Sequence, residues 1–209
     1  MSISSRLIAK MTNLPPAETY DVAVDKNLET PMPDGVVLLA DHYYPRRGPK
    51  RPTVLLRSPY GRGNIFGLLF GRPFAERGFQ VLVQSCRGTF GSGGVLDPFH
   101  QERADGLATV EWIKQQDWFN GELVTFGASY LGLVQWAIAR ELGPTLKAMS
   151  TWVTSAEFRS VTYPGESLWL ESAFGWTCQV MTQGGSPLAL LASLIMGVKK
   201  QQAAFSLCR

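Results

Sequence analysis

Two kinds of apolar pattern alternate along the chain. Short apolar or alternating runs predict strands, and apolar residues that recur every three or four positions predict helices. Strand-like runs occur at residues 20–24, 36–44, 53–57, 79–84, 122–126 and 146–153. Helix-like runs occur at residues 3–14, 102–116 and 130–142. From residue 53 onward the two kinds take turns, which predicts an α/β protein with a mostly parallel sheet and helices on both faces.

The part of the chain before residue 79 departs from this regular alternation. A turn at Pro33-Asp34-Gly35 joins the first two strand-like runs and predicts that they pair as antiparallel edge strands. Residues 65–70 are apolar and flanked by glycines, which predicts a mobile apolar loop. Residues 73–78 predict the end of a helix that has Gly78 at its C-cap.

One stretch, Val-Thr-Phe-Gly-Ala-Ser-Tyr-Leu-Gly at residues 124–132, predicts a buried strand that turns sharply into a helix. Ser129 lies at the apex. A serine hydroxyl is a weak nucleophile, so catalysis needs it on a tight turn beside a general base and backbone donors. Gly127 and Gly132 allow the close approach that such a turn requires. Leu131 occupies the position of the second glycine in the G-x-S-x-G pattern, so an ordinary turn with an N-cap serine is the alternative.

Other motifs accompany this turn in a set order. They are Pro31-Met32-Pro33-Asp34-Gly35, Arg57-Ser58-Pro59-Tyr60-Gly61, Val83-Gln84-Ser85-Cys86-Arg87-Gly88, Ser92-Gly93 and Trp118-Phe119-Asn120-Gly121. From about Tyr20 to about Gly165 the sequence resembles the X-Pro dipeptidyl-peptidase and cocaine-esterase family of α/β-hydrolase serine enzymes. Several spaced motifs in one order are far more specific than the serine turn alone.

The resemblance implies an α/β-hydrolase fold and hydrolysis of an ester, amide or X-Pro peptide bond. It implies that Ser129 is the nucleophile, and that the Tyr60 hydroxyl and the Tyr130 N–H bind the oxyanion. A core aromatic is the alternative for Tyr60. The resemblance implies no metal and no organic cofactor. Ser85 stands where the family usually has an aspartate before Arg87-Gly88, which puts a local aspartate-to-arginine contact in question.

The sequence lacks one expected feature of such an enzyme. In α/β-hydrolases the acid and the histidine follow the serine, but no aspartate and no histidine follows Ser129. His42 and His100 precede it, and their contexts predict core or surface histidines. We therefore expect the 209 residues to be the N-terminal part of a longer enzyme with an incomplete fold. A non-catalytic remnant or a binding module is the competing interpretation.

The predicted domain organisation has three parts. Residues 1–19 form an N-terminal extension, residues 20–165 form the hydrolase core, and residues 166–209 begin a helical cap. Within the cap, Ser186 and Pro187 predict the start of a second apolar helix that runs to Val198. That run is too short to span a bilayer.

Composition and charge exclude several other classes. The apolar fraction of 45% is that of a globular protein, and a net charge of +3 predicts no nucleic-acid partner. Cys86, Cys178 and Cys208 lack the spacing of a disulfide framework or a zinc site, and Cys86 is predicted to be a small buried side chain. The first ten residues lack a signal-peptide core, so we expect a cytoplasmic protein with a small-molecule or peptide substrate and no membrane partner. The oligomeric state is left open.

Overall fold

The computed structural model describes residues 3–49 and 51–182. Six strands are β1 (Val22–Pro31), β2 (Val37–Pro45), β3 (Thr53–Ser58), β4 (Gln80–Ser85), β5 (Leu123–Ala128) and β6 (Leu146–Trp152). Seven helices are α1 (Ile3–Met11), α2 (Asn64–Phe66), α3 (Arg72–Ala75), α4 (Glu102–Lys114), α5 (Tyr130–Leu142), α6 (Arg159–Thr162) and α7 (Leu170–Thr182). Strands β2 to β6 and helices α4 and α5 lie where the hydrophobic pattern predicts them. Strand β1 continues to Pro31, beyond the predicted run at residues 20–24, and α1 ends at Met11, before the predicted end at residue 14.

The six strands form one sheet in the order β1-β2-β4-β3-β5-β6. The pairs β1-β2 and β2-β4 are antiparallel, and the pairs β4-β3, β3-β5 and β5-β6 are parallel. The predicted antiparallel pair of strands at one edge is therefore confirmed. Because the last four strands run in one direction, the chain segments that follow them emerge at the same edge of the sheet.

Alternation along the strands divides the core into two clusters, one on each face of the sheet. On one face Leu55, Leu82 and Leu123 pack against the apolar side of α4 and α5. On the other face Val54 and Val83 pack with residues of the segment that contains α2 and α3. Helices on both faces follow directly from strands that are buried on both sides.

Segment 65–70 corrects one sequence-based prediction. It is helical rather than a loop, because α2 continues through a π-helical turn, Gly67–Gly71, into α3. A Cβ at Gly67 would lie 2.1 Å from the Tyr43 hydroxyl, and a Cβ at Gly71 would lie 2.7 Å from the Tyr43 ring. The two glycines let this helix lie directly on the Tyr43 side chain, a contact that the local pattern does not reveal.

Helix α1 confirms the predicted N-terminal amphipathic helix. Its buried Ser5 hydroxyl donates to the carboxylate of Glu76, which follows α3. Residues 1–156 form one compact unit, and a second unit begins at Glu157. The predicted division at residues 19 and 165 stays a prediction.

The second unit contains α6 and α7 among its described residues. Leu168, Trp169, Leu170 and Phe174 are exposed apolar side chains. The predicted helix from Ser186 to Val198 lies outside the described residues. No helix in the described part of the chain combines the length and the apolar character that crossing a membrane requires.

Candidate active site

Ser129 lies between the end of β5 and the start of α5, at the carboxyl edge of the parallel strands. Its backbone has φ 54° and ψ −123°, and such a conformation costs a non-glycine residue about 1–3 kcal/mol. The Ser129 N–H donates to the Trp152 carbonyl at 3.0 Å, and the Gly132 N–H donates to the Ser129 carbonyl at 2.9 Å. Ser129 is exposed. Its hydroxyl makes no capping hydrogen bond with the first turn of α5, all of which the structure describes.

The two glycines that flank Ser129 permit close backbone packing. Gly127 has φ 151°, and a Cβ there would lie 2.3 Å from the Leu131 Cβ. A Cβ at Gly132 would lie 2.5 Å from Cγ2 of Thr154, just beyond β6. Leu131 fits in place of the usual second glycine because its side chain is buried in the core cluster around Val54.

Tyr130 directs its side chain into the protein. Its hydroxyl donates to Oε1 of Glu102 at 2.8 Å and accepts the Phe99 N–H at 3.1 Å. Burial, and then the neighbouring Glu102, raise the pKa of the Tyr130 phenol, so the group remains a hydrogen-bond donor. Through these contacts the first residue of α5 is attached to α4 and to the loop before it.

A buried ion pair lies next to this contact. The Nη1 of Arg57, on β3, is 2.9 Å from Oε2 of Glu102 and donates to the Glu102 backbone carbonyl at 2.9 Å. The Nε of Arg57 donates to Oε1 of Gln84, which also accepts from the Thr109 hydroxyl, each at 2.9 Å. Residues of β3, β4 and α4 thus form one network with the residue that follows Ser129.

Tyr60 follows β3, and therefore emerges at the same edge of the sheet as Ser129. The Ser58 hydroxyl accepts the Tyr60 N–H at 3.0 Å. The half-buried Tyr60 side chain packs against the core cluster that contains Val54 and Leu56. The topology brings Tyr60 and Ser129 to the ends of neighbouring strands, as an oxyanion donor requires. The Tyr60 ring also packs against the core, as expected if Tyr60 is a core aromatic.

Arg62 anchors the loop that carries Tyr60. Its guanidinium donates to the Asp41 carboxylate at 3.2 Å, the Ser85 hydroxyl at 3.1 Å and the Phe90 carbonyl at 2.6 Å, and also to the Asn27 side chain. Sequence reasoning missed this role. The only local signal is an arginine between two glycines just after a buried strand.

Arg87 resolves the question that Ser85 raises in the sequence. Its guanidinium binds both carboxylate oxygens of Asp105, at 3.0 and 2.6 Å, and Asp34 at 2.7 Å. Asp105 lies on α4, so the arginine takes its aspartate from another element. Ser85 instead accepts from Arg62.

His42 is a core residue. Its Nε2 lies 2.9 Å from Oε1 of Gln80, and its ring stacks with Tyr44 and Trp118 at centroid distances of 4.8 and 4.2 Å. Burial lowers its pKa from 6.5 to about 4. The strand register places His42 level with Thr125, with two strands of the sheet between them. Thr125 precedes Ser129 by four residues, so His42 and Ser129 are about 13 Å apart along the strand direction.

The sequence offers two further candidates, His100 as a base and Cys86 as a nucleophile, and the structure gives neither of them a catalytic setting. His100 is exposed, and its Nδ1 lies 2.9 Å from Oδ1 of Asp97, its neighbour in the same loop. Cys86 is fully buried beside Glu102, and burial raises the pKa of its thiol well above the usual value. A thiol that stays protonated is a packing residue rather than a nucleophile, which confirms the prediction for Cys86.

Comparison with known proteins agrees with this architecture. Residues 34–201 match the X-Pro dipeptidyl-peptidase (S15 family). The cocaine esterase of Rhodococcus sp. (strain MB1 Bresler) is 36% identical over 169 residues, which are 78% of this chain and 29% of that protein. A CocE/NonD family hydrolase of known structure from Staphylococcus aureus is 28% identical, with a TM-score of 0.56 over 61% of this chain and 27% of that chain.

An aminopeptidase from a marine sediment Thaumarchaeota archaeon shares the fold, with a TM-score of 0.65 at 20% identity over 79% of this chain and 31% of that chain. The fold is thus of the α/β-hydrolase type, and the chain belongs to the X-Pro dipeptidyl-peptidase (S15) family of serine hydrolases. It spans less than a third of the length of these three relatives.

Proposed function

We propose that this chain supplies the nucleophile and the oxyanion donors of a hydrolase that cleaves acyl ester or amide bonds. One observation carries the proposal. Ser129 is exposed at the carboxyl edge of the sheet, at φ 54°, on a turn that its neighbours hold in place. Strained backbone of this kind is retained where it presents a reactive group.

In the proposed reaction the Ser129 oxygen attacks the carbonyl carbon of the substrate while its proton passes to a general base. The Tyr130 N–H and the Tyr60 hydroxyl bind the negative oxygen of the tetrahedral intermediate. Collapse of the intermediate expels the alcohol or amine, which takes the proton from the base, and leaves Ser129 acylated. Water then attacks the acyl-enzyme by the same sequence and releases the acid. Fixed donors of this kind typically lower the barrier by a few kcal/mol.

The proposed reaction requires a general base that takes the proton of the Ser129 hydroxyl. His42 is buried about 13 Å along the strands from the level of Ser129, and His100 is an exposed residue of the loop before α4. We therefore propose that the hydrolysis depends on a general base that neither of these histidines provides, together with an acid that orients it. Without them we expect the chain alone to be inactive.

The substrate class is proposed from the relatives. An esterase and an X-Pro dipeptidyl-peptidase both act on acyl bonds, so the proposed substrate is an ester, an amide or an X-Pro peptide. Location in the cytoplasm stays a prediction from the first ten residues.

The test has two arms. In the first, the 209-residue chain is treated with a fluorophosphonate and labelling is followed by intact mass. We expect slow labelling or none, because no base takes the Ser129 proton. Rapid labelling that Ser129→Ala abolishes would contradict the proposal that the base is absent.

The second arm supplies the base. In a chimera, this chain replaces the segment of the Rhodococcus cocaine esterase that aligns with it, so that α1 and β1 are kept, and hydrolysis of p-nitrophenyl acetate is measured. We expect hydrolysis that Ser129→Ala abolishes. A folded chimera whose activity is absent, or is unchanged by Ser129→Ala, would reject the hydrolase function and favour a non-catalytic binding domain.

A further inference from the structure

The carboxylate of Glu102 makes contacts that lead to both proposed oxyanion donors. Its Oε1 accepts from the Tyr130 hydroxyl at 2.8 Å, and Tyr130 carries one donor on its backbone N–H. Its Oε2 lies 2.9 Å from Nη1 of Arg57, three residues before Tyr60, which carries the other donor. Ser58 lies between them on the chain, and its hydroxyl accepts the Tyr60 N–H. The Glu102 side chain therefore connects Arg57, at the end of β3, with Tyr130, which follows β5.

All the bridging groups are held firmly. Arg57, Glu102 and Tyr130 are each at most 4% exposed. Glu102 is fixed through its backbone as well, because the same Arg57 nitrogen donates to its carbonyl. The Phe99 N–H fixes the Tyr130 hydroxyl from the other side.

Stability alone does not account for a charged pair at this place. An apolar pair of similar volume often stabilises a protein core as well as a buried ion pair does, or better. What the charged pair adds is direction, since the guanidinium and the carboxylate fix each other's orientation. That property matters most where two hydrogen-bond donors must be held at a set separation.

We propose that Glu102 is a positioning residue that sets the relative placement of the Tyr130 N–H and the Tyr60 hydroxyl. This inference rests on the proposed function. Glu102 itself touches neither the substrate nor the reacting atoms. It acts through the Tyr130 side chain on one donor, and through Arg57 and the end of β3 on the other.

The chain offers a matched control on the same helix. Asp105 is also buried on α4 and also pairs with an arginine, Arg87. The side-chain hydrogen bonds of Arg87 and Asp105 lead to the loop after β4 and to Asp34, and not to Tyr130 or Arg57. The charge of Asp105 also acts on Arg57 through space, but Asp105→Asn removes a comparable buried charge without breaking a hydrogen bond of the proposed bridge.

The first measurement is structural and needs no activity. The chain has six tyrosines, so ¹⁵N-tyrosine labelling of the Ala148→Lys variant, whose added charge on the edge strand β6 reduces self-association, gives a short list of amide cross-peaks. Tyr60→Phe and Tyr130→Phe assign two of them. We expect Glu102→Gln to shift the cross-peaks of both Tyr60 and Tyr130, and Asp105→Asn to leave both in place.

A second variant covers the loss of folding that an unpaired Arg57 could cause in Glu102→Gln. Glu102→Asp keeps the charge beside Arg57 but shortens the side chain by one methylene, so it weakens the contact with Tyr130. We expect it to fold and to move the Tyr130 cross-peak. The bridging role would be overturned if a folded Glu102 variant left the tyrosine cross-peaks in place. It would also be overturned if Glu102→Gln shifted the cross-peak of Tyr130 alone, or if Asp105→Asn shifted both cross-peaks as much as Glu102→Gln does.

The second measurement uses the chimera described above. We expect Glu102→Gln and Glu102→Asp to lower kcat by about 10- to 100-fold with KM within about twofold, because a misplaced oxyanion donor affects the transition state. Asp105→Asn should keep kcat. A Glu102 variant that keeps kcat while losing thermal stability would overturn the positioning role. If the wild-type chimera shows no Ser129-dependent hydrolysis, the proposed function fails, and the tyrosine cross-peaks still decide whether Glu102 joins the two segments.

Discussion

Tyr60 has two features at the residue scale that point to different roles. Its position beyond β3 suits an oxyanion donor, while its half-buried ring packs against the core cluster. The hydroxyl and the ring can be separated experimentally, because phenylalanine keeps the ring and removes only the donor. Packing and catalysis then give different results for one substitution.

In the chimera, Tyr60→Phe is expected to lower kcat by about 100-fold and leave KM nearly unchanged, since an oxyanion donor acts in the transition state. Steady-state hydrolysis of p-nitrophenyl acetate measures both constants. Tyr44→Phe, a change of the same size on β2, serves as the control and should keep kcat. Full turnover combined with a lower melting temperature in Tyr60→Phe would assign Tyr60 to packing alone.

His42 makes the stability of the fold depend on pH. Burial lowers its pKa in the folded chain from 6.5 to about 4, so between these values the unfolded chain binds the proton more readily. The contribution of neutral His42 is complete above about pH 6.5, falls as the pH drops, and is gone below about pH 4. A shift of this size corresponds to about 3 kcal/mol.

Urea unfolding at a series of pH values between 7 and 4 tests this expectation. His42→Phe keeps a ring against Tyr44 and Trp118 but cannot titrate. The free energy of unfolding of the wild type should fall by about 3 kcal/mol more than that of the variant across this range. Parallel pH profiles for the two proteins would show that His42 is not the group responsible.

The turn from β5 to α5 depends, at the element scale, on how closely its two arms approach. The Cβ contact of 2.3 Å that any larger residue at position 127 would make with Leu131 involves two atoms next to the backbone. Rotation of a side chain cannot relieve it. A substitution there must move the end of β5 or the start of α5, and with them Ser129.

Gly127→Ala should therefore be more destabilising than Gly121→Ala. Both glycines have positive φ and both lie in or beside β5, but a Cβ at Gly121 meets nothing within 4 Å. Each variant carries backbone strain, and at Gly127 the steric clash should add about 1–3 kcal/mol in urea unfolding. Equal losses of unfolding free energy in the two variants would mean that the turn from β5 to α5 accommodates the extra methyl group without cost.

Strand β6 governs the expected behaviour of the whole molecule in solution. Within the described residues β6 pairs only with β5, and most of its residues are exposed. Trp152 and the following Val153 add exposed apolar side chains at its end. An edge strand of this kind is a template for pairing with a second chain.

The 209-residue chain is expected to be poorly soluble or to self-associate, and sedimentation velocity over a range of concentrations measures this. Ala148→Lys places a charge on β6 and should reduce association. Val95→Lys replaces an exposed apolar side chain elsewhere on the surface and should not. A compact wild-type monomer that unfolds cooperatively would contradict the expectation and favour a complete binding domain.

Much of the fold follows from local sequence patterns. The strands, the long helices and the antiparallel first pair are set by hydrophobic periodicity and turn residues, which act over a few positions. The serine turn at residues 124–132 was also predictable, because glycines, a serine and a strand-to-helix change occur together there. Segment 65–70 was predicted wrongly, since its helix depends on contact with Tyr43, more than twenty residues away.

Tertiary structure alone decided the order of the strands and the surroundings of the site. The insertion of β4 between β2 and β3 depends on crossovers that no local pattern specifies. Likewise Arg57 and Glu102 are separated by 45 residues, and ordinary charged residues are expected on the surface. They are buried because α4 packs across the sheet and brings the two charges together. The sequence by itself determined the position of the candidate nucleophile, Ser129, because the turn that presents it is set by neighbouring residues. Tertiary packing determined which side chains, Arg57 and Glu102 among them, fix the residues around it.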